Sequence, residues 1–277
     1  MSVTTHDHLQ ETAIAYARGI VGALLIGMPT LMTMEMWWGG FTIPTPRLLL
    51  LLVVNFGVLL VLQHYSGLHP RKTALGQLRA ALVAAAIGLL VSAAILLVLG
   101  ILRHDTTLRD AIGKIALESV PVSIGASIAV SQFDDHGEET EQRRRGGYLF
   151  PSIAMGIAGA MVFGFNEAAT EEPMILGDEL TWMHAVAIVI VSLVVVFGIS
   201  YAVGKRRLEM EPFSRAWIAF YVRESVATYV VAMLIAAYLL WTFGRVGADT
   251  ALSPTVHMVL ALGLVTTLGA TAGELLI

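Results

Sequence analysis

Eight long apolar stretches are the strongest constraint on how this 277-residue chain can fold. About 20 consecutive apolar residues are needed to cross the hydrocarbon core of a bilayer as an α-helix. The chain is 56% hydrophobic and 14% charged, whereas a typical soluble protein has roughly 25% charged residues. We therefore predict an all-α membrane protein with eight transmembrane helices. The predicted spans are 19–38, 48–65, 80–102, 113–133, 148–166, 183–203, 217–243 and 255–276.

An internal duplication relates the two halves of the chain. The stretch GIVGALLIGMPTLMTMEMWW, residues 19–38, recurs as GIAGAMVFGFNEAATEEPMI, residues 156–175, with seven of twenty positions identical at an offset of 137 residues. SIGAS at 123–127 matches TLGAT at 267–271 at an offset of 144, which implies seven extra residues, placed around 204–216. Self-similarity of this kind indicates a repeat architecture. We predict two four-helix repeats, residues 1–133 and 148–277, joined by a charged cytoplasmic linker at 134–147.

The distribution of Lys and Arg predicts the orientation. If the N-terminus is inside, the inner segments hold twelve of these residues and the outer segments hold five. Because basic residues favour the cytoplasmic side, we predict that both termini are cytoplasmic. An even number of helices per repeat gives both repeats the same orientation, related by an axis along the membrane normal. The N-terminal residues lack the basic region and cleavage site of a secretory signal, so we expect the first helix to be retained.

Composition and motifs exclude several classes of function. The net charge of −4 suggests no nucleic-acid partner, and the absence of cysteine excludes disulfides and thiol chemistry. No metal signature, Gly-rich phosphate loop or Ser-His-Asp set is recognisable, so we expect no cofactor, no assigned metal site and no enzyme activity. The expected partners are the lipid bilayer and a small cation, and the chain is compatible with a homo-oligomer.

The repeated stretch carries a carboxylate in both copies. Glu35 corresponds to Glu172, and Thr33 corresponds to Thr170. By helix rise, Glu35 lies about 24 Å along the first span, in the outer third of a core about 30 Å thick. Pro173 predicts that the fifth helix ends or turns there, before a short interfacial or re-entrant segment. Oxygen-rich sets suit hard cations or protons. The predicted ion-binding set is Glu35, Glu167, Glu171, Glu172, Asn166, Thr33 and Thr170.

The fourth and eighth spans are rich in small residues. Such residues at four-residue spacing, as in Gly125 with Ala129 and Gly269 with Gly273, let helix backbones approach closely. The same helices could line a narrow polar path at mid-membrane. The candidate pathway residues are Ser123, Ser127, Thr267 and Thr271.

Glu118 is the remaining candidate for the ion pathway, because intramembrane ionisable residues are functional candidates. It lies early in the predicted fourth span, and Leu262 occupies the corresponding position in the second copy. The alternative is a bond from Glu118 to Lys114 or Arg109 near the outer boundary.

Two functions from different classes are open. The first is membrane transport of a small cation, as a channel or a proton-coupled transporter, using the carboxylates repeated in the first and fifth helices. An acidic outer mouth would raise the local cation concentration. The alternative is a non-transporting membrane scaffold or sensor with an acidic outer face, whose glutamates face the outer water. An intramembrane enzyme acting on lipid is disfavoured, because no nucleophile and base pair is recognisable.

Two runs carry a resemblance to a known family. PTLMTMEMWWGGF, residues 29–41, and FGFNEAATEEPMIL, residues 163–176, resemble an uncharacterised family of bacterial multi-pass integral membrane proteins. The shared marks are a Met-Glu-Met-Trp-Trp run and an Asn-x-Ala-x-Thr-Glu-Glu run, in which Glu167 fills the variable place after Asn166. The resemblance implies a location in the bacterial cytoplasmic (inner) membrane, and it supplies no catalytic or binding residue.

Overall fold

The computed structural model describes residues 5–65, 73–132, 149–204 and 215–275. All secondary structure in these ranges is α-helical. The chain divides into two compact units, Met1–Arg145 (unit 1) and Gly146–Ile277 (unit 2). The predicted linker, residues 134–147, lies outside the described residues, as does most of the loop around 204–216.

Unit 1 is built around its last helix, α5. The described helices of this unit are α1 (Thr5–Leu31), α2 (Met34–Thr42), α3 (Thr45–Tyr65), α4 (Ala74–Val98) and α5 (Leu108–Gln132). Each of the other four packs against α5. In the membrane-crossing stretch of α5, 78% of the residues are buried, against 33% in α1, α3 and α4. The small residues of α5 permit this, because they let the neighbouring backbones approach closely.

Unit 2 is built in the same way around α10. Its described helices are α6 (Leu149–Ala169), α7 (Glu172–Glu179), α8 (Trp182–Gly204), α9 (Arg215–Thr242) and α10 (Leu252–Glu274). The helices α6, α7, α8 and α9 all pack against α10.

Eight helices in the described part of the chain are long and apolar enough to cross a membrane, which confirms the predicted number of candidate spans. The excluded helices are the two short ones, α2 and α7. The fourth span differs from its predicted bounds, since α5 begins at Leu108 rather than near residue 113. This shift moves Glu118 from the beginning of the helix towards its middle.

The first predicted span, 19–38, is not one continuous helix, because the chain breaks between α1 and α2. Gly22 of α1 lies against Gly125 of α5, and Gly40 of α2 lies against Gly113 near the beginning of α5. The helices α1 and α2 therefore follow α5 one after the other, in a single antiparallel register. We describe α1 and α2 together as a discontinuous crossing element.

The same arrangement occurs in unit 2. Gly159 of α6 lies against Gly269 of α10, and Gly177 of α7 lies against Met258. Here the break was predicted from Pro173, which occupies the first turn of α7. A methyl group on Gly159 would collide with the backbone of Gly269. The predicted close packing of small residues is thus confirmed.

The loops that precede α5 and α10 also match. Gly100 and Gly244, 144 residues apart, have φ angles of 69° and 75°, which favour glycine. The hydroxyls of Thr106 and Thr250 each accept a hydrogen bond from the backbone N–H three residues earlier, at 2.9 Å and 3.0 Å. The two loops therefore share both their turn and their closing contact.

Candidate functional site

The break between α1 and α2 lies beside the middle of α5. Thr30, in the last turn of α1, lies against Glu118. Glu118 is ten residues after Leu108, so it lies about 15 Å along α5. The crossing stretch of α5 extends over 22 residues, from Leu108 to Ala129. An ionisable side chain therefore occupies mid-span at the level where the neighbouring crossing element is interrupted.

The burial of Glu118 is not offset by a hydrogen bond to its carboxyl group in the described part of the chain. Its side chain is 0% exposed, and neither carboxyl oxygen has a hydrogen-bond partner among the described residues. The hydroxyl of Thr30 donates instead to the carbonyl of Gly27, at 2.8 Å. Lys114, an alternative partner from the sequence, lies with its Nζ 5.7 Å from the ring centroid of Phe41. A carboxylate that has lost water without gaining a partner is stabilised by taking up a proton or a cation.

Two amide side chains of α3 bind the predicted pathway serines of α5. Asn55 Nδ2 donates to Ser123 Oγ at 3.0 Å, and Gln63 Nε2 donates to Ser127 Oγ at 2.9 Å. All four side chains are buried. Ser123 and Ser127 therefore join helices in this structure, whereas Asn55 Oδ1 has no partner in the described part of the chain. Gln63 was not predicted, although its eight-residue spacing from Asn55 in an apolar helix was a usable signal.

In unit 1, local side chains bind the carbonyls that the break leaves open. The indole Nε1 of Trp37 donates to the carbonyl of Leu31 at 2.9 Å, and the hydroxyl of Thr33 donates to the carbonyl of Pro29 at 2.7 Å. Thr33, a predicted ion ligand, thus caps the end of the preceding helix α1. Glu35 is half-buried in the first turn of α2.

In unit 2, an arginine from a distant loop performs this role. The guanidinium of Arg245 donates to the carbonyl of Ala169, the last residue of α6, and to Met174 Sδ at 3.7 Å. The predicted ligand Thr170 donates to the carbonyl of Glu167 at 2.8 Å. Arg245 follows the positive-φ Gly244 directly and was not predicted as a functional residue.

The predicted carboxylates of unit 2 differ in burial. Glu171 and Glu172 are exposed, whereas Glu167 and Asn166 are half-buried on α6. Glu172 lies beside the Thr170 hydroxyl and within the field of Arg245. No group of three or more His, Asp or Glu side chains in the described ranges is placed to hold a metal ion. Glu167, Glu171 and Glu172 therefore do not form a compact metal cage within unit 2.

The two threonines predicted on α10 are both buried. The hydroxyl of Thr271 donates to the carbonyl of Thr267 at 2.8 Å. Thr267 Oγ1 itself has no partner among the residues that the structure describes. Nearby, the hydroxyl of Thr266 reaches across to the carbonyl of Ala232 on α9, at 3.0 Å. This part of α10 is packed, and the hydroxyls of Thr266 and Thr271 bond to backbone carbonyls.

The helices and the two breaks define a multi-pass integral membrane protein. Residues 15–277 match the family model described as "Putative integral membrane protein (DUF2391)", and the chain belongs to this family. The match confirms the family of integral membrane proteins predicted from the two runs. No curated protein and no solved structure matches the chain.

Proposed function

We propose that this protein is a proton-coupled transporter of a small cation and that Glu118 is its ion-binding carboxyl. One observation carries the proposal: Glu118 is fully buried at mid-span, beside an interrupted crossing element, and its carboxyl oxygens have no hydrogen-bond partner among the described residues. An ionisable group in that position is expensive and marks a proton or ion pathway. Discontinuous helices accompany ion and substrate sites near the midplane of transporters.

A comparison of corresponding residues supports the proposal. At the two offsets, Glu167 replaces Thr30 and Leu262 replaces Glu118. By this alignment, each unit thus has one carboxylate among the two positions that correspond to Thr30 and Glu118. We infer that the units are tandem copies with the same orientation and that both termini are cytoplasmic. The matched breaks, loops and glycine contacts favour a common origin.

The carboxylates at the breaks would attract the cation. Glu35 and Glu172 lie in the first turns of α2 and α7, where the partial positive charge of a helix N-terminus stabilises a carboxylate. With the exposed Glu171 they raise the local cation concentration. In this proposal the protein operates in the bacterial cytoplasmic membrane and catalyses no covalent reaction.

Ion flux into proteoliposomes tests the proposal. Purified protein is screened for transport of H⁺, K⁺, Na⁺, Mg²⁺ and Ca²⁺ against empty vesicles, together with the Glu118→Gln variant. The matched control is Glu179→Gln, because Glu179 is an exposed carboxylate at the end of α7. We expect flux in the wild type and in the control, and loss of flux in Glu118→Gln. Wild-type flux in Glu118→Gln would remove the assigned role of this residue.

A double variant tests the repeated carboxylates separately. Replacing Glu35 and Glu172 together by Gln lowers flux if they concentrate the cation, and it leaves expression intact because the side chains are not core residues. If folded wild-type protein carries none of the five ions, the scaffold or sensor function becomes the better description. The acidic residues would then bind a partner or sense outer ions.

A further inference from the structure

A second carboxyl group lies at the end of α10 that is farther from the break in unit 2. Glu274 is the last residue of α10, about 33 Å from Leu252 by helix rise. Its Oε1 lies 2.6 Å from the hydroxyl oxygen of Thr228 on α9. The same oxygen lies against Gly156 of α6, where an added Cβ would be 3.4 Å away. The carboxyl group therefore sits where three helices meet.

The hydrogen bonds around Glu274 favour a carboxyl group that carries a proton. Thr228 Oγ1 is also 3.0 Å from the carbonyl of Glu224, and a hydroxyl has only one proton to donate. If Glu274 is ionised, Thr228 can donate to the carboxylate or to the carbonyl, but not to both. If Glu274 is protonated, it donates to Thr228, and Thr228 donates to the carbonyl. Only the protonated form makes both contacts.

The charges and polar groups nearby favour the same state. Near Glu274, α9 contributes the acidic side chain of Glu224, which cannot serve as a counter-ion for a carboxylate. The residue that α6 contributes at this point is Gly156, which brings no charge. Ser225 is 4% exposed, and its hydroxyl has no partner among the described residues. It precedes Thr228 by three residues, and therefore lies on the same face of α9.

This arrangement belongs to unit 2 alone. At the offset of 144 residues, Ala84 replaces Thr228 and Val130 replaces Glu274. We propose that Glu274, hydrogen-bonded to Thr228, is a second proton-binding carboxyl group of this protein and that it exchanges protons at the C-terminal end of α10. Its part in transport rests on the proposed function, whereas its binding of a proton does not.

Infrared spectroscopy of the full-length protein in lipid nanodiscs tests proton binding directly. The band of protonated carboxyl groups is followed from about pH 6.5 to about pH 8, where exposed carboxylates are almost fully ionised. The Glu118→Gln background removes the contribution of Glu118, and Glu274→Gln is added to it. Glu179→Gln in the same background is the control. We expect loss of the remaining protonated-carboxyl band in Glu274→Gln and no change in the control.

A matched pair of variants at residue 228 provides a second test, so that the conclusion does not depend on the Glu274→Gln substitution alone. Thr228→Ser keeps the hydroxyl and should keep the band position, whereas Thr228→Val removes the hydroxyl and should shift the band. An unchanged band in folded Glu274→Gln protein at every pH would overturn the proposal, as would equal spectra for the two residue-228 variants. If the band is lost but wild-type protein shows no ion flux, the proposed function fails and the proton site stands.

Discussion

The two units interrupt a crossing helix at corresponding places, but different groups satisfy the broken backbone. In unit 1, the indole of Trp37 donates to the carbonyl of Leu31 from within the same element. In unit 2, Met174 occupies the place of Trp37 and has no proton to donate. Arg245 supplies the donor from the loop before α10 and brings a positive charge to the break. The break is thus the common feature, whereas the capping group and its charge differ.

The N-terminal ends of the central helices show a second difference. In unit 1, Gly113 of α5 lies directly against the backbone of Gly40. In unit 2, His257 takes the place of Gly113, and its Nδ1 lies 3.2 Å from the carbonyl of Gly177. A polar contact has replaced a close backbone contact at the same position. The packing of a short helix on a central helix therefore tolerates two solutions.

The largest effect is expected at the glycine contact with the central helix, which both units share. We expect Gly22→Leu and Gly159→Leu each to abolish recovery of folded protein, because the added side chain meets the backbone of the central helix. Size-exclusion chromatography in detergent measures recovery. Gly57→Leu and Gly198→Leu are the controls, because a Cβ at either position meets nothing within 4 Å. If the Gly159→Leu protein folds and the Gly22→Leu protein does not, the two glycine contacts are not equivalent.

The next prediction concerns the different capping groups. Arg245→Met removes a charged donor and should lower the free energy of unfolding by about 1.5–3 kcal/mol. Trp37→Phe removes a neutral donor and should lower it by about 0.5–1.5 kcal/mol. Thermal unfolding in detergent compares the two variants. A larger loss in Trp37→Phe would show that packing of the indole, and not its hydrogen bond, holds the first break.

Removing the carboxylate that distinguishes α5 from α10 should raise the free energy of unfolding instead of lowering it. Glu118→Leu places in α5 the residue that α10 has at position 262, and it removes a buried carboxyl group without a partner. We expect the free energy of unfolding to rise by about 1–3 kcal/mol. Leu262→Glu should lower it by a comparable amount. A destabilised Glu118→Leu protein would mean that the carboxyl group has a stabilising partner in the membrane.

The smallest effect is expected at the two threonines next to the breaks. Thr33→Val and Thr170→Val each remove one hydroxyl that donates to a carbonyl of the preceding helix. Each variant should lose about 0.5 kcal/mol of stability, at the lower end for a single neutral hydrogen bond. Equal shifts in the unfolding temperature of the two variants would show that these hydroxyl contacts contribute equally to stability in the two units. A loss of ion flux without a loss of stability would instead support the prediction that these hydroxyls are ion ligands.

Much of the fold followed from local sequence. Runs of about 20 apolar residues predict crossing helices because only a helix satisfies its own backbone in lipid. Pro173 predicted the break after α6, since proline begins helices and lacks an N–H donor. The break between α1 and α2 was missed, because the apolar run 19–38 continues through it without a comparable signal.

The candidate site was less accessible from the sequence. Glu118 was identified by its charge, but its partners depend on which side of α5 faces α1. Arg245 and Gln63 were missed because their roles depend on contacts with Ala169 and Ser127, each more than sixty residues away in the chain. Thr33 and Thr170 were predicted to be ion ligands, which stays a prediction, and the structure shows that their hydroxyls bond to carbonyls of the preceding helices. Short-range hydroxyl contacts of this kind compete with any ligand.

By itself, the sequence determined that this protein consists of apolar helices long enough to cross a membrane, and it predicted an internal duplication, because hydropathy and offsets are properties of the chain. Only the tertiary structure decided that Glu118 has no hydrogen-bond partner among the described residues and that Glu274 is bonded to Thr228. The physical reason is that the state of a carboxyl group in a membrane depends on the groups that replace its lost water. Those groups come from other helices, and only packing brings them together.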